Sequence, residues 1–214
     1  MNGKFKRRQK TGNWLVFYLS IVSGSILAAI VIGWLSYDLV SRQLHLAAQM
    51  QMSQATLMHE FNRLMRYLVL PGGQSLVLPH FKMSANGLAH FKEVKHLFLL
   101  TAVIFLVTIV PALRGWRRDF KSGRQWRYIR PMQVALVMPI VIGLIASVSF
   151  DRFFVLFHEL LFRNLDWQFD PLLDPIILVL PEQYFMLCFI CFFVILEGLF
   201  LIILWRAKKS LKIY

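Results

Sequence analysis

Residues 14–37 read WLVFYLSIVSGSILAAIVIGWLSY, twenty-four positions without one Asp, Glu, Lys or Arg. At about 1.5 Å of rise per residue, a helix of this length exceeds the roughly 30 Å hydrocarbon core of a bilayer. Outward from it, three more stretches share the character: 97–113, 131–150 and 184–205, with Glu197 the one charged residue among them. The whole chain of 214 residues is 57% hydrophobic and 16% charged, a composition that a water-soluble domain would not keep dissolved. The reading is an all-α membrane protein: four transmembrane helices, with a mostly helical extracytoplasmic cap formed by the two outer loops.

The charges give the topology. Lys and Arg exceed Asp and Glu by 24 to 11, a net +13. In a soluble protein that would suggest nucleic acid, but no basic groove interleaved with aromatics is present. Residues 1–13, 114–130 and 206–214 hold sixteen of the bases and one acid, Asp119, whereas 38–96 and 151–183 hold eight bases against nine acids. The positive-inside rule then puts both termini and the 114–130 loop in the cytoplasm of a multi-pass cell-membrane protein. The clusters Lys6-Arg7-Arg8 and Arg114 to Arg130 are topology signals and contacts for anionic lipid. The first span is too long for a signal-peptide core and is expected to stay attached. Cys188 and Cys191, inside the fourth span, are expected to pack rather than to form a redox pair.

The outer segments carry structure of their own. Between Asp38 and Leu70 there is no Pro or Gly, and Leu44, Ala48, Met52, Ala55, Met58, Phe61 and Met65 recur at three- and four-residue steps, an amphipathic helix with room for one break. Pro71-Gly72-Gly73 stops it. Leu76 to Phe81 reads as a short extended strand or edge, interrupted by Pro79. Ser84 is placed to cap a helix running from about Asn86 into the second span. Phe153 to Phe162 reads as an interfacial helix lying among headgroups. The pairs Asp170-Pro171 and Asp174-Pro175 then impose a turning path.

All six histidines, at 45, 59, 80, 90, 96 and 158, fall in these outer segments. Histidine both takes and gives a proton near neutrality. His158, among Phe157, Leu160, Leu161 and Phe162, needs a partner: it is either a hydrogen-bonded ring at the interface or a base held beside a lipid ester. His90 precedes Glu93 by one helical turn, so the carboxylate could orient its ring. The other four read as surface or packing residues. A zinc site from His90, Glu93, His158 and an outer Asp is conceivable, but no HExxH spacing marks it, and no metal or other cofactor is expected. GxSxG, P-loop and GxGxxG motifs are absent, so serine-hydrolase and nucleotide-dependent classes lose ground.

Two longer signatures are specific in combination. The first runs Asn62-x-x-Met65-x-Tyr67-Leu68-x-x-Pro71, Leu78-Pro79-x-Phe81 and Ser84-x-x-Gly87-x-x-His90-Phe91-x-Glu93-Val94-Lys95. The second is Phe154-x-x-Phe157-His158-x-x-x-Phe162-x-Asn164-x-x-Trp167-x-Phe169-Asp170-Pro171-x-x-Asp174, followed by Leu180-Pro181-Glu182. In both, the chain resembles the lipoprotein intramolecular transacylase (Lit) family of four-span bacterial membrane proteins. One departure is Glu93, where the family's HxxDVK stretch has aspartate.

The resemblance implies an intramolecular acyltransferase of the bacterial cell envelope. Its substrate would be a diacylated lipoprotein, whose sn-2 acyl chain moves from the glycerol oxygen to the α-amine of the N-terminal cysteine, leaving the lyso form. It implies a catalytic pair at His90 and His158. Around the pair, substrate-binding groups are expected at Tyr67, Asn164, Trp167 and Asp170, and supporting carboxylates at Glu93 and Asp174. A monomer is expected, with membrane lipid and lipoprotein as its partners and no nucleic acid. An alternative from another class is a non-enzymatic lipid- or solute-binding membrane protein or transporter subunit, which would route its cargo past Glu197. Convergence of the two rings beside Asn164 and Trp167 discriminates between them.

Overall fold

The structure, a computed structural model, describes residues 13–211. The basic residues expected at the N-terminus, Lys6-Arg7-Arg8 among them, lie outside the described residues. Eight α-helices follow in order: α1 Trp14–Gln43, α2 Leu46–Gln49, α3 Gln54–Val69, α4 Ala85–Lys121, α5 Ile129–Ala135, α6 Val137–Val148, α7 Phe150–Leu161 and α8 Glu182–Leu211. Short 3-10 turns at Gln125–Tyr128 and Pro175–Val179 complete the set. Four segments are long and apolar enough to cross a membrane: Trp14–Gln43, Ala85–Lys121, Gln125–Val148 and Glu182–Lys209. The fold is therefore all-helical with four membrane-spanning elements.

α1 is the central post, packing against both α4 and α8. Between its ends, where Phe17, Tyr37 and Val40 are buried, its buried face is small: Ser20, Ser23, Ser25, Ala29 and Gly33. Small residues let helix backbones approach closely where lipid offers no hydrophobic drive. A Cβ on Gly24 would come within 2.8 Å of the Phe105 ring, and one on Gly33 within 2.8 Å of Cys188 Sγ. Buried serines bond back into their own helix, as Ser25 Oγ does to the Ile21 carbonyl at 2.9 Å.

The cap forms because α3 has one apolar face. Leu57, Phe61, Leu64, Met65 and Leu68 are buried on it, with the carboxylate residue Glu60 buried among them. Tyr37 from α1 stacks on Phe61 with ring centroids 3.5 Å apart, Tyr184 from α8 meets both edge-on, and Tyr37 donates to the Val179 carbonyl at 2.6 Å. Each such ring or Leu removed from water contributes about 1.5–3 kcal/mol. This cluster joins α3 to two spans and fixes the platform on which the start of α4 rests.

Three expectations meet a different local outcome. The segment after α1 is broken twice over: His45 and Gln51 both take φ of 53°, and Ser53 starts α3 afresh by accepting from Thr56 N–H at 3.0 Å. The helical phase resets there, which leaves Ala55 exposed. Leu76 to Phe81 forms no strand; the described residues contain none, and with no neighbouring chain to pair with, Leu76, Leu78 and Phe81 hold the segment by burial alone. The third span is two helices, α5 and α6, that meet at Leu136. Pro139 has no N–H for the Ala135 carbonyl, so the ladder is interrupted there.

Candidate active site

His90 stands on the second turn of α4. It lies seven residues ahead of the apolar run that begins at Leu97, on the part of the helix above the span. Ser84 caps that helix, its hydroxyl accepting from Gly87 N–H at 2.9 Å. The cap is itself held from across the fold. Asp174, 3% exposed, accepts from Ser84 N–H at 2.7 Å and from the Ser84 hydroxyl at 2.6 Å. Glycine is required at 87, because a Cβ there would collide with the Asp174 carboxylate. The turn at Asp170 feeds this arrangement: its carboxylate accepts from Leu172 N–H at 2.9 Å and its carbonyl from Asp174 N–H at 2.7 Å.

His158 occupies the last turn of α7. The two imidazoles, 68 positions apart along the chain, converge with ring centroids 5.8 Å apart and planes at 41°. Only 6% of His90 and 8% of His158 is exposed. The walls are aromatic. Phe162 and Phe169 stand edge-on to His90 at 4.8 and 5.6 Å, and Phe154 and Trp167 lie 4.1 and 4.9 Å from His158.

The proton positions follow from partners. His158 Nδ1 is 2.8 Å from the Phe154 carbonyl, which can only accept, so Nδ1 carries the hydrogen and a neutral ring keeps its lone pair at Nε2. His90 Nδ1 is buried without a partner. Burial pushes His90 down to about 4 from the ordinary 6.5 of imidazole, and the neighbouring His158 adds to the shift. His158 moves down as well, burial outweighing the Phe154 carbonyl, which favours the charged ring. Both rings are neutral at pH 7, and each can accept a proton when an acid is brought to it.

The supporting residues are arranged by competition among polar groups. Glu93 Oε1 takes a hydrogen bond from Asn164 Nδ2 at 2.8 Å, and its Oε2 is buried without a partner. Asn164 also accepts from Asp166 N–H at its side-chain oxygen and from Trp167 Nε1 at its carbonyl, each at 3.1 Å. Glu93 thus ties α4 to the chain after α7, the two elements that carry the histidines. Of the eight residues singled out from sequence, His158 meets both His90 and Trp167, Glu93 and Asn164 bond to each other, and Asp170 and Asp174 build the turn under α4. Tyr67 lies on another flank, beneath the ammonium of Lys95 at 4.3 Å. Lys95 also donates to the Gly72 carbonyl at 3.0 Å.

Sequence reasoning passed over two features. The aromatic walls at Phe154, Phe162 and Phe169 were present in the second signature but carried no role there. Glu60, fully buried on α3, receives His80 Nδ1 at 3.0 Å, so His80 is more than a surface residue. Among the described residues no three His, Cys, Asp or Glu side chains gather as a metal site. The segments on either side of the site expose leucines between charges: Leu160 is 79% and Leu172 87% exposed, and Leu165 and Leu173 are exposed too, interleaved with exposed Glu159, Arg163 and Asp170. Such a surface fits contact with lipid.

A family model described as lipoprotein intramolecular transacylase Lit matches residues 11–185. Among solved structures, the chain is similar to the membrane integral lipoprotein intramolecular transacylase Lit from Bacillus cereus, with a TM-score of 0.84 and 28% identity over 93% of this chain and 94% of that one. Two variants of that Bacillus cereus protein also match at 27% identity. One has a histidine replaced by arginine, with a TM-score of 0.75 over 92% of this chain and 90% of that one; the other has it replaced by alanine, with 0.77 over 93% and 91%. Comparison with curated proteins finds no match.

Proposed function

The chain belongs to the lipoprotein intramolecular transacylase Lit family of membrane-integral acyltransferases, and from that membership we propose that His90 and His158 move the sn-2 acyl chain of a diacylglyceryl-cysteine lipoprotein onto the cysteine α-amine. Membership in an enzyme family sets aside the non-enzymatic binding or transport reading. The observation that carries the proposal is the convergence of two buried, neutral imidazoles at 5.8 Å inside an aromatic enclosure.

The reaction balances within one molecule. The α-amine nitrogen attacks the sn-2 ester carbonyl carbon, and His158, whose lone pair is at Nε2, takes the proton that the nitrogen must shed. The tetrahedral intermediate collapses by breaking the bond from carbonyl carbon to glycerol oxygen. That oxygen receives the proton, handed on through His90, so an amide and a free hydroxyl form and both rings end as they began. No water, carrier or energy source enters. The enclosure excludes water, which would otherwise hydrolyse the ester, and holds donor and acceptor in an attacking pose.

On this reading Asn164 and Trp167 contact the substrate beside the histidines, and Tyr67 and Asp170 contact it farther out, Tyr67 from the flank it shares with Lys95. Trp167 acts through position, because its indole N–H is committed to the Asn164 carbonyl, whereas Asn164 gives one amide N–H to Glu93 and keeps a second for the substrate. Glu93 and Asp174 support the two histidine-bearing elements. The distribution of Lys and Arg puts both termini in the cytoplasm and the histidines on the outer face of the cell membrane. The enzyme works as a monomer in contact with membrane lipid.

The test is N-terminal lipopeptide mass spectrometry in cells making diacylated lipoproteins. His90→Asn and His158→Asn should each abolish the lyso form while the protein stays folded and inserted. Transacylation conserves mass, so fragmentation must locate the moved chain. Full conversion by either variant removes the pair from the mechanism.

A further inference from the structure

The other end of α4 holds a second site. From His90 to Gly115 the helix advances about 37 Å at 1.5 Å per residue, enough to cross to the opposite headgroup layer. There a cavity of about 320 Å³ opens between the start of α1 and the last turns of α4. Trp14, Phe17 and Ala112 form an apolar side, and Arg114, Trp116 and Arg118 a polar one.

The polar side has unmet demand. Arg114 and Arg118 are one helical turn apart and both exposed, and neither has an acidic partner among the described residues. Like charges at this spacing repel unless an anion lies between them. The nearest acid, Asp119, is already consumed. It takes Arg124 Nη2 at 2.8 Å and the Tyr128 hydroxyl at 3.3 Å, with Arg127 at 3.6 Å. The indole N–H of Trp116 is buried without an acceptor. The α1 N-terminus also opens here, where the Asn13 side chain accepts from Leu15 N–H at 3.0 Å and the Asn13 carbonyl from Phe17 N–H at 3.1 Å.

We propose that this cavity binds an anionic glycerophospholipid, its phosphate between Arg114 and Arg118 and its glycerol and upper acyl chains along Trp14, Phe17 and Ala112. Lipid is the occupant because the cavity joins a cationic edge to an apolar wall at the ends of two spans. The flanking Leu15 and Leu113, 65% and 39% exposed, continue that wall into the membrane. Basic pockets between spans are the expected seats of anionic headgroups.

The test uses the purified full chain in detergent with equimolar phosphatidylglycerol and phosphatidylcholine of identical acyl chains, retained lipid being read by native mass spectrometry. The expected result is one phosphatidylglycerol held in preference, by on the order of tenfold. The double variant Arg114→Gln, Arg118→Gln should bring the two lipids to parity, while Arg206→Gln, Lys208→Gln, which removes the same charge elsewhere, should keep the preference. Equal retention of both lipids by the unsubstituted protein overturns the proposal. So does equal loss in the control pair, or full displacement by millimolar inorganic phosphate, which would mark a free-anion site. The readout is lipid occupancy and not acyl transfer, so it stands or falls apart from the two-histidine mechanism.

Discussion

An imidazole becomes a base at neutral pH only if it arrives unprotonated, and burial ensures this for His90 and His158. With His90 held down to about 4 and an unfolded ring titrating near 6.5, the unfolded chain binds more protons between these values. This contribution to stability is therefore intact above pH 6.5 and is lost as the pH falls toward 4. Carbon-13 NMR of histidine-labelled protein in micelles should show His90 still neutral at pH 5.5, below the ordinary 6.5 of imidazole. His158→Asn removes the second cause of the shift and should raise the His90 titration point, though not to 6.5, because burial remains. A His90 already protonated at pH 5.5 would contradict the enclosed site. The pair itself was legible in the two signatures. The partner of Glu93 was not, because three-residue spacing tells which side chains share a helix face but not which group from 71 positions away reaches them first. Asn164 does, and Glu93→Ala should cost most of the acyl transfer by loosening it, whereas Glu93→Gln keeps an oxygen for Asn164 and should retain a measurable fraction in the same lipopeptide assay.

α4 shows how an element positions a residue. Its apolar run and its start were legible, since Ser84 and Gly87 stand three apart at the end of a Pro/Gly-rich stretch. The Asp174 anchor was not derivable from helix periodicity, because it comes from a turn ninety residues later. Removing Asp174 takes two hydrogen bonds from the half-buried Ser84, which costs about 1 kcal/mol or more. Asp174→Ala should lower the midpoint of thermal unfolding and reduce acyl transfer together, with both histidines still present. Gly87→Ala should do the same by driving a methyl group into the carboxylate. Unchanged melting in both variants would show that the anchor does not hold the helix. The strand reading of Leu76 to Phe81 failed for a related reason: alternation describes which side chains point inward, while a strand also needs a second chain to bond. At α3, apolar spacing was real but its phase was not continuous, because two residues of positive φ restart the helix.

At the scale of the molecule, four spans were legible because lipid tolerates only backbones that satisfy their own hydrogen bonds, and a twenty-residue apolar run has one way to do so. Which spans touch was not legible. α1 owes its central place to small residues whose role emerges only against Phe105 and Cys188. Direction across the membrane rests on the charges, since moving sixteen bases to the outer face would oppose both insertion and the membrane potential. In a Cys188→Ala, Cys191→Ala background, single cysteines at Asp166→Cys and Ser122→Cys stand on opposite sides of that arrangement. A membrane-impermeant maleimide added to intact spheroplasts should label the cysteine at 166 and leave that at 122 until the membrane is permeabilised. The reverse pattern would place the two histidines in the cytoplasm, away from lipoproteins displayed outside, and the proposed reaction would then have no substrate on its side of the bilayer.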